Sequence, residues 1–256
     1  MNLNKLDRWL GNAVLHLARV FKVDLADCCD EFGNSFGKEG THFFVRALAQ
    51  SETPDSLQSF LRAYYKDHPV RSFNEVIGKG IRDEAGERYF CPWEPNRIRP
   101  LSNFEHSHKA GPTSEETLAR IVHRLLRVLD EIRNAGFRQY SIFDGFPRVI
   151  GVIDRSGRRR YIVRDGQHRA AVLSHLGFSA MRVTYEADHF KPSLPYRWIA
   201  SLFKRGSFNI DTPKIVREDE VDSWPHVLEG RVSREDALAY FQAVFGRKEE
   251  QVNHLV

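Results

Sequence analysis

Five consecutive residues, Asp165-Gly166-Gln167-His168-Arg169, combine the side chains and backbone freedom that a phosphate site needs. The β-branched run Tyr161-Ile162-Val163 before them reads as a strand, and Arg169 to Leu176, stopped by Gly177, reads as a helix. A helix that starts directly after a strand presents amide N–H groups with no intrahelical partners at the positive end of its dipole. Anions bind there readily. Gly166 carries no Cβ to hold a phosphate off the backbone. His168 and Arg169 add side-chain donors, Arg169 with a fork that fits two phosphate oxygens, and Gln167 stands between them and the glycine. Asp165 has two readings, a helix cap or an oxygen ligand for magnesium. The bland reading of the whole run is a capping aspartate followed by a solvated turn.

Other candidates are weaker. Phe32 to Gly40 is rich in glycine, but no strand is evident before it, so it reads as a plain loop. His106 and His108 form a His-x-His pair without the further ligands a zinc site requires. Cys28 and Cys29 are adjacent and Cys91 is isolated, which favours reduced structural thiols. Arg155, Arg158, Arg159, Arg160, Arg164 and Arg169 crowd the motif, yet the formal net charge is only +4, too mild to predict nucleic-acid binding by itself. The charged fraction of 28% is that of an ordinary soluble domain, and no apolar run is long enough for a membrane span. Charges interrupt the first nine residues, as they would not in a signal peptide, so a cytoplasmic location is the expectation.

Several elements must position the motif. Apolar residues from Leu6 to Phe21 recur at three- and four-residue steps and predict an amphipathic helix. Thr53-Pro54 opens a second, with Leu57, Phe60, Leu61 and Tyr64 on its inner face. Pro92 and Pro95 break helical structure and place a boundary near residue 91, after which Arg97 to Leu101 reads as a short strand. Thr113 and Glu116 fit a capping box for a helix carrying Leu118, Ile121, Val122, Leu125, Leu129 and Ile132, with Gly136 as its stop. Arg148–Ile153 and Arg160–Val163, joined by Asp154 to Gly157, predict a hairpin, and Met181–Tyr185 a further strand. Trp198 to Phe203 reads as a short helix, and Ser233 caps a last one with Leu238, Phe241, Val244 and Phe245 inside.

The string Asp165 to Arg169, the Ala-Ala-Val-Leu helix after it and the strand, capped helix and hairpin before it together resemble the ParB/sulfiredoxin superfamily over about residues 95–187. The resemblance implies an α+β fold with a small mixed sheet. The expected division is a helical segment (1–90), a nucleotide-binding core (91–190) and an aromatic-rich helical tail (191–256) whose Trp198 and Trp224 close over the ligand. Sulfiredoxin-like repair needs a cysteine where this chain has Gln167, and ParB-like partitioning needs a helix-turn-helix that residues 188–256, with their four prolines, do not suggest. The branch closest in logic is the free serine kinases. By that likeness Glu105, in the loop after the first strand, is the base that accepts a hydroxyl proton, and Asp165 and His168 are the other catalytic candidates. Gly166, Gln167, His168 and Arg169 would hold the phosphates of ATP or ADP, or of CTP, with magnesium at Asp165. The expected partners are that nucleotide and a small-molecule acceptor such as a sugar or an amino acid. The alternative is a ParB-like nucleotide-binding regulator or DNA-binding protein that transfers nothing.

Overall fold

The computed structural model describes residues 20–68, 72–79, 88–94, 99–100, 111, 113–136, 146–186 and 214–246. Over these residues the chain is α+β, a mixed sheet flanked by helices. Strands β1 (Phe21–Asp24) and β2 (Cys28–Cys29) come first, then helices α1 (Phe43–Gln50), α2 (Pro54–Asp67) and α3 (Phe73–Val76). Strands β3 (Arg88–Tyr89) and β4 (Arg99–Pro100) precede the long helix α4 (Glu115–Ala135). The hairpin β5 (Arg148–Ile153) and β6 (Arg159–Asp165) leads into α5 (Gln167–His175) and β7 (Ala180–Tyr185). Strand β8 (Ile215–Arg217), a 3-10 turn at Glu218–Ser223, α6 (Pro225–Leu228) and α7 (Arg234–Gly246) follow.

Six of the described strands form one sheet in the order β1-β7-β5-β6-β2, with β8 also on β5. One edge of β5 pairs antiparallel with β6. The other edge is shared by two parallel neighbours, β7 at Arg148–Val149 and β8 at Gly151–Ile153. The sheet therefore draws strands from each of the three segments into which the sequence was divided. Strand β2 lies parallel to β6, so the glycine-rich loop does follow a strand, two residues long.

Both faces of the sheet are buried, and the period of two along its strands decides which side chain goes where. Val149, Val163, Met181 and Val183 join α1, α2, α4 and α5 in one core. Ile150, Val152, Ile162 and Val216 face the other core with Trp93, Trp224, Tyr240, Phe241 and Phe245. The Cys91–Glu94 turn is non-helical, as its proline requires, and is buried in the second core.

Helix α4 buries every apolar residue its spacing predicted, plus Val128. Its cap is one residue later than expected: Ser114, not Thr113, accepts the Thr117 amide. Thr53 and Pro54 begin α2 as expected, without a side-chain cap bond, and Tyr65 replaces Phe60 and Tyr64 in the fully buried stripe. Phe21, expected at the end of a helix, instead opens β1, and Val20 before it is not helical; Leu6 to Leu17 of that stripe lie outside the described residues. Arg99–Pro100 is a strand, but it pairs with β3 and stands outside the six-stranded sheet. The expected helix at Trp198 to Phe203 lies outside the described residues.

Candidate functional site

Strand β6 ends at Asp165, Gly166 turns the chain, and α5 starts at Gln167. Gly166 has φ +89°, a left-handed conformation that side chains other than glycine rarely adopt. A Cβ at this position would also lie 2.8 Å from Cβ of Pro147. The glycine is thus demanded by the turn and by Pro147, before any ligand is considered. The first helical bond runs from the Ala170 amide to the Gly166 carbonyl, 2.9 Å, so the amides of Gln167, His168 and Arg169 stand ahead of the ladder.

The side chains of the motif divide by direction. Gln167 is buried and its amide nitrogen donates to the Val163 carbonyl at 3.0 Å, which locks the helix start to the strand. The His168 ring is only 8% exposed and lies 4.5 Å, centroid to centroid, from Phe44 of α1. Arg169 is half-buried. Asp165 does not cap α5; Gly166 is the N-cap residue, and Asp165 pairs with Arg148 across the hairpin, Oδ2 to Nη2 3.4 Å. The sequence marks Arg148 only as the start of a strand; counting back from the Asp154–Gly157 turn places it opposite Arg164, and a bulge moves it to Asp165.

Four of the other arginines near the motif, Arg155, Arg158, Arg160 and Arg164, are turned to structural use. Arg158 bonds Asp154 and lies over the Phe245 ring, 5.1 Å from its centroid. Arg160 donates to the carbonyls of Val244 and Phe245, and the Arg155 amide donates to Glu218. Arg164 is nearly enclosed, with Glu31 at 2.6 Å, Glu94 at 3.3 Å and Glu186 at 3.4 Å. Burial alone would lower its pKa, but these carboxylates raise it, and the guanidinium stays charged. Lys214 adds a second cation 3.8 Å from Glu94.

Directly after β2, the buried Asp30 accepts from the amides of Phe32 and Asn34 and from the Asn34 side chain, all at 2.8–2.9 Å. Burial outweighs those bonds and pushes its carboxyl up to about 6. His42 lies 4.0 Å from it, stacked between Phe36 and Phe43. Asp30, Glu31, Phe32, Phe43 and Gln167 line a crevice at the start of α5, too narrow to admit a water molecule. Gly33 of the glycine-rich loop lies against α7, where an added Cβ would meet the carbonyls of Ala243 and Val244 at 2.9 Å. That contact accounts for the glycine without a phosphate.

All three cysteines are buried and unbridged. Burial pushes the Cys29 and Cys91 thiols up to about 12, so neither is a nucleophile at neutral pH. Among the described residues no group of three or more His, Cys, Asp or Glu side chains could hold a metal ion, and no helix is long and apolar enough to cross a membrane. Glu105, His106 and His108 lie outside the described residues. Comparisons with family models, curated proteins and solved structures found no match to this chain.

Proposed function

We propose that the chain binds the phosphates of a nucleotide at the start of α5 and transfers a phosphoryl group to a hydroxyl of a small molecule, such as a sugar or an amino acid. One observation carries the reading: β6, left-handed Gly166 and α5 form a strand–turn–helix that sets the amides of Gln167, His168 and Arg169 at the head of the helix, with Arg148 paired to Asp165 beside it. Backbone amides and the guanidinium groups of Arg148 and Arg169 are then the phosphate ligands, and Gln167 and His168 brace the turn from inside. The β5–β6 hairpin, α5 and β7 are the elements that support a ParB/sulfiredoxin type of sheet. Arg99–Pro100 does not add to that likeness, because it pairs elsewhere.

Magnesium fits in a limited way. It needs only one or two protein carboxylates when phosphate oxygens and waters complete its shell. Asp165 is 42% exposed at its side chain and would be such a ligand once Arg148 turned to phosphate. Bound with the nucleotide, the ion would screen the charge on the phosphates. The role of Glu105 as the base rests on the resemblance alone.

Thermal unfolding with ATP, ADP, CTP or GTP plus magnesium tests the binding step. One nucleotide at about a hundred times its Kd should stabilise the fold by about 2.7 kcal/mol. Arg169→Ala should weaken that effect, and Glu105→Gln should keep binding but abolish turnover. A chain stabilised by none of the four sinks the proposal. The inward placement of His168 favours a second reading, a nucleotide-binding regulator that transfers nothing. That reading predicts binding without acceptor-dependent nucleotide consumption across a panel of sugars and amino acids.

A further inference from the structure

We propose that Arg164 is a positioning residue of the phosphate-binding turn: its grip on Glu31, Glu94 and Glu186 fixes where Asp165 and Gly166 leave β6, and so where the first amides of α5 point. The inference rests on reading that turn as a phosphate site.

Alternation along β6 sends Tyr161 and Val163 toward the core that holds α5, and Ile162 toward the other. Arg164 is the extra residue of the bulge before Asp165, and its partner Glu94 belongs to the turn that carries Cys91 and Trp93 of the other core, so it acts on the turn through the backbone and through its carboxylate partners. Its three carboxylate partners come from separate stretches of chain. Glu31 follows β2, Glu94 ends the Cys91–Glu94 turn, and Glu186 follows β7. Lys214, just before β8, reaches Glu94 and extends the cluster to a fourth stretch. Strand β2, which pairs with β6, and strand β7, which pairs with β5, are thereby referenced to one guanidinium just before the turn, and β8 follows through Glu94 and Lys214.

The choice of an arginine is informative. Packing an apolar side chain here would avoid the cost of burying five charged groups, and replacing buried ion clusters with apolar residues is often neutral or stabilising. What the cluster adds is direction. A planar fork with donors in fixed positions accepts carboxylates at set angles, whereas a lysine ammonium is a single point on a flexible stem. The Glu31 backbone also continues Asp30, which with Gln167 lines the crevice at the start of α5. Moving Glu31 would therefore move that wall together with the turn.

The test is Arg164→Lys, which keeps the charge and loses the fork, studied at a temperature where denaturation curves show the variant folded. Two quantities are read: the Gly166 and Gln167 amide resonances in 1H–15N spectra, and the Kd for ATP, ADP, CTP and GTP with magnesium. Both amides should move, and Kd should weaken about tenfold or more, as small displacements of binding groups commonly cause. Unmoved amides, or a Kd within about twofold of a wild-type chain that binds, overturn the proposal. If Arg164→Lys does not fold, Glu31→Gln and Glu186→Gln carry the same readouts, each leaving the arginine with two carboxylates. If the wild-type chain binds none of the four nucleotides, the phosphate reading fails, and the amide positions alone decide whether Arg164 sets the turn.

Discussion

Gly166 was legible in the sequence as a special residue, but for a partial reason. A strand followed by Asp-Gly and a helix announces a turn, and the turn is there, with Gly166 in the left-handed region. What sequence cannot show is Pro147, which fills the space a Cβ would need. Gly166→Ala should therefore cost about 2 kcal/mol or more, from the left-handed backbone and the contact together. Urea denaturation measures it, and Pro147→Gly in the same chain, judged against Pro147→Gly alone, should recover most of the contact part but not the backbone part. Asp30 makes a second prediction, with a definite sign. Its carboxyl is raised from 3.8 to about 6, so the folded chain binds this proton more tightly than the unfolded one. The group's contribution is fully present below about pH 4 and is lost as the pH rises through 6, by about 3 kcal/mol at most. Denaturation curves from pH 4.5 to 7.5 should show that decline in the wild-type chain and a flatter profile in Asp30→Asn. Identical profiles would mean that Asp30 titrates normally.

Elements were legible where one periodicity ran long enough to show. Helix α4 has seven buried apolar positions at helical spacing, and the β5–β6 hairpin has β-branched runs on both sides of a turn that Asp154 organises with three hydrogen bonds at Oδ1. Helix α1 gave no such sign. Its buried Phe43, Phe44, Ala47 and Leu48 stand opposite the exposed Arg46, Ala49 and Gln50, but eight residues make barely two turns, too few for that stripe to stand out in the sequence. Its cap is His42, whose Nδ1 accepts the Phe44 amide at 3.2 Å, a job usually given to Ser, Thr, Asp or Asn. Strands β2 and β8 are two and three residues long, too short for alternation to register. The His42 cap can be tested directly. His42→Ala loses both the cap and the stacking on Phe36 and Phe43, and should destabilise the fold by about 2–4 kcal/mol. His42→Asn, which restores a capping oxygen, should recover about 1 kcal/mol of that loss. Hydrogen exchange at the Phe44 amide should speed up in the alanine variant and slow again in the asparagine one.

At the scale of the molecule, the sequence divides where composition changes, but the sheet does not follow that division. The motif strand β6 has β5 on one edge and β2 on the other, and β7 is covered on its outer edge by β1. Residues 91–190 alone would lack β1, β2 and β8, and with them α1 and α2, which supply part of one core, and α7 with the segment before it, which supply most of the other. They would also lack Glu31, one of the three carboxylates on Arg164, and Lys214, the second cation at Glu94. Breaking such a buried cluster costs about 3–5 kcal/mol where one partner is removed, a large share of the roughly 5–15 kcal/mol that holds a domain together. A fragment of residues 91–190 should accordingly show no cooperative thermal transition and poor dispersion of its amide resonances, whereas residues 20–246 should melt cooperatively. Circular dichroism and 1H–15N spectra of the two fragments decide it. A cooperative melt from 91–190 would show that the sheet can close without the terminal strands, and would make the Arg164 cluster an addition to the motif and not its foundation.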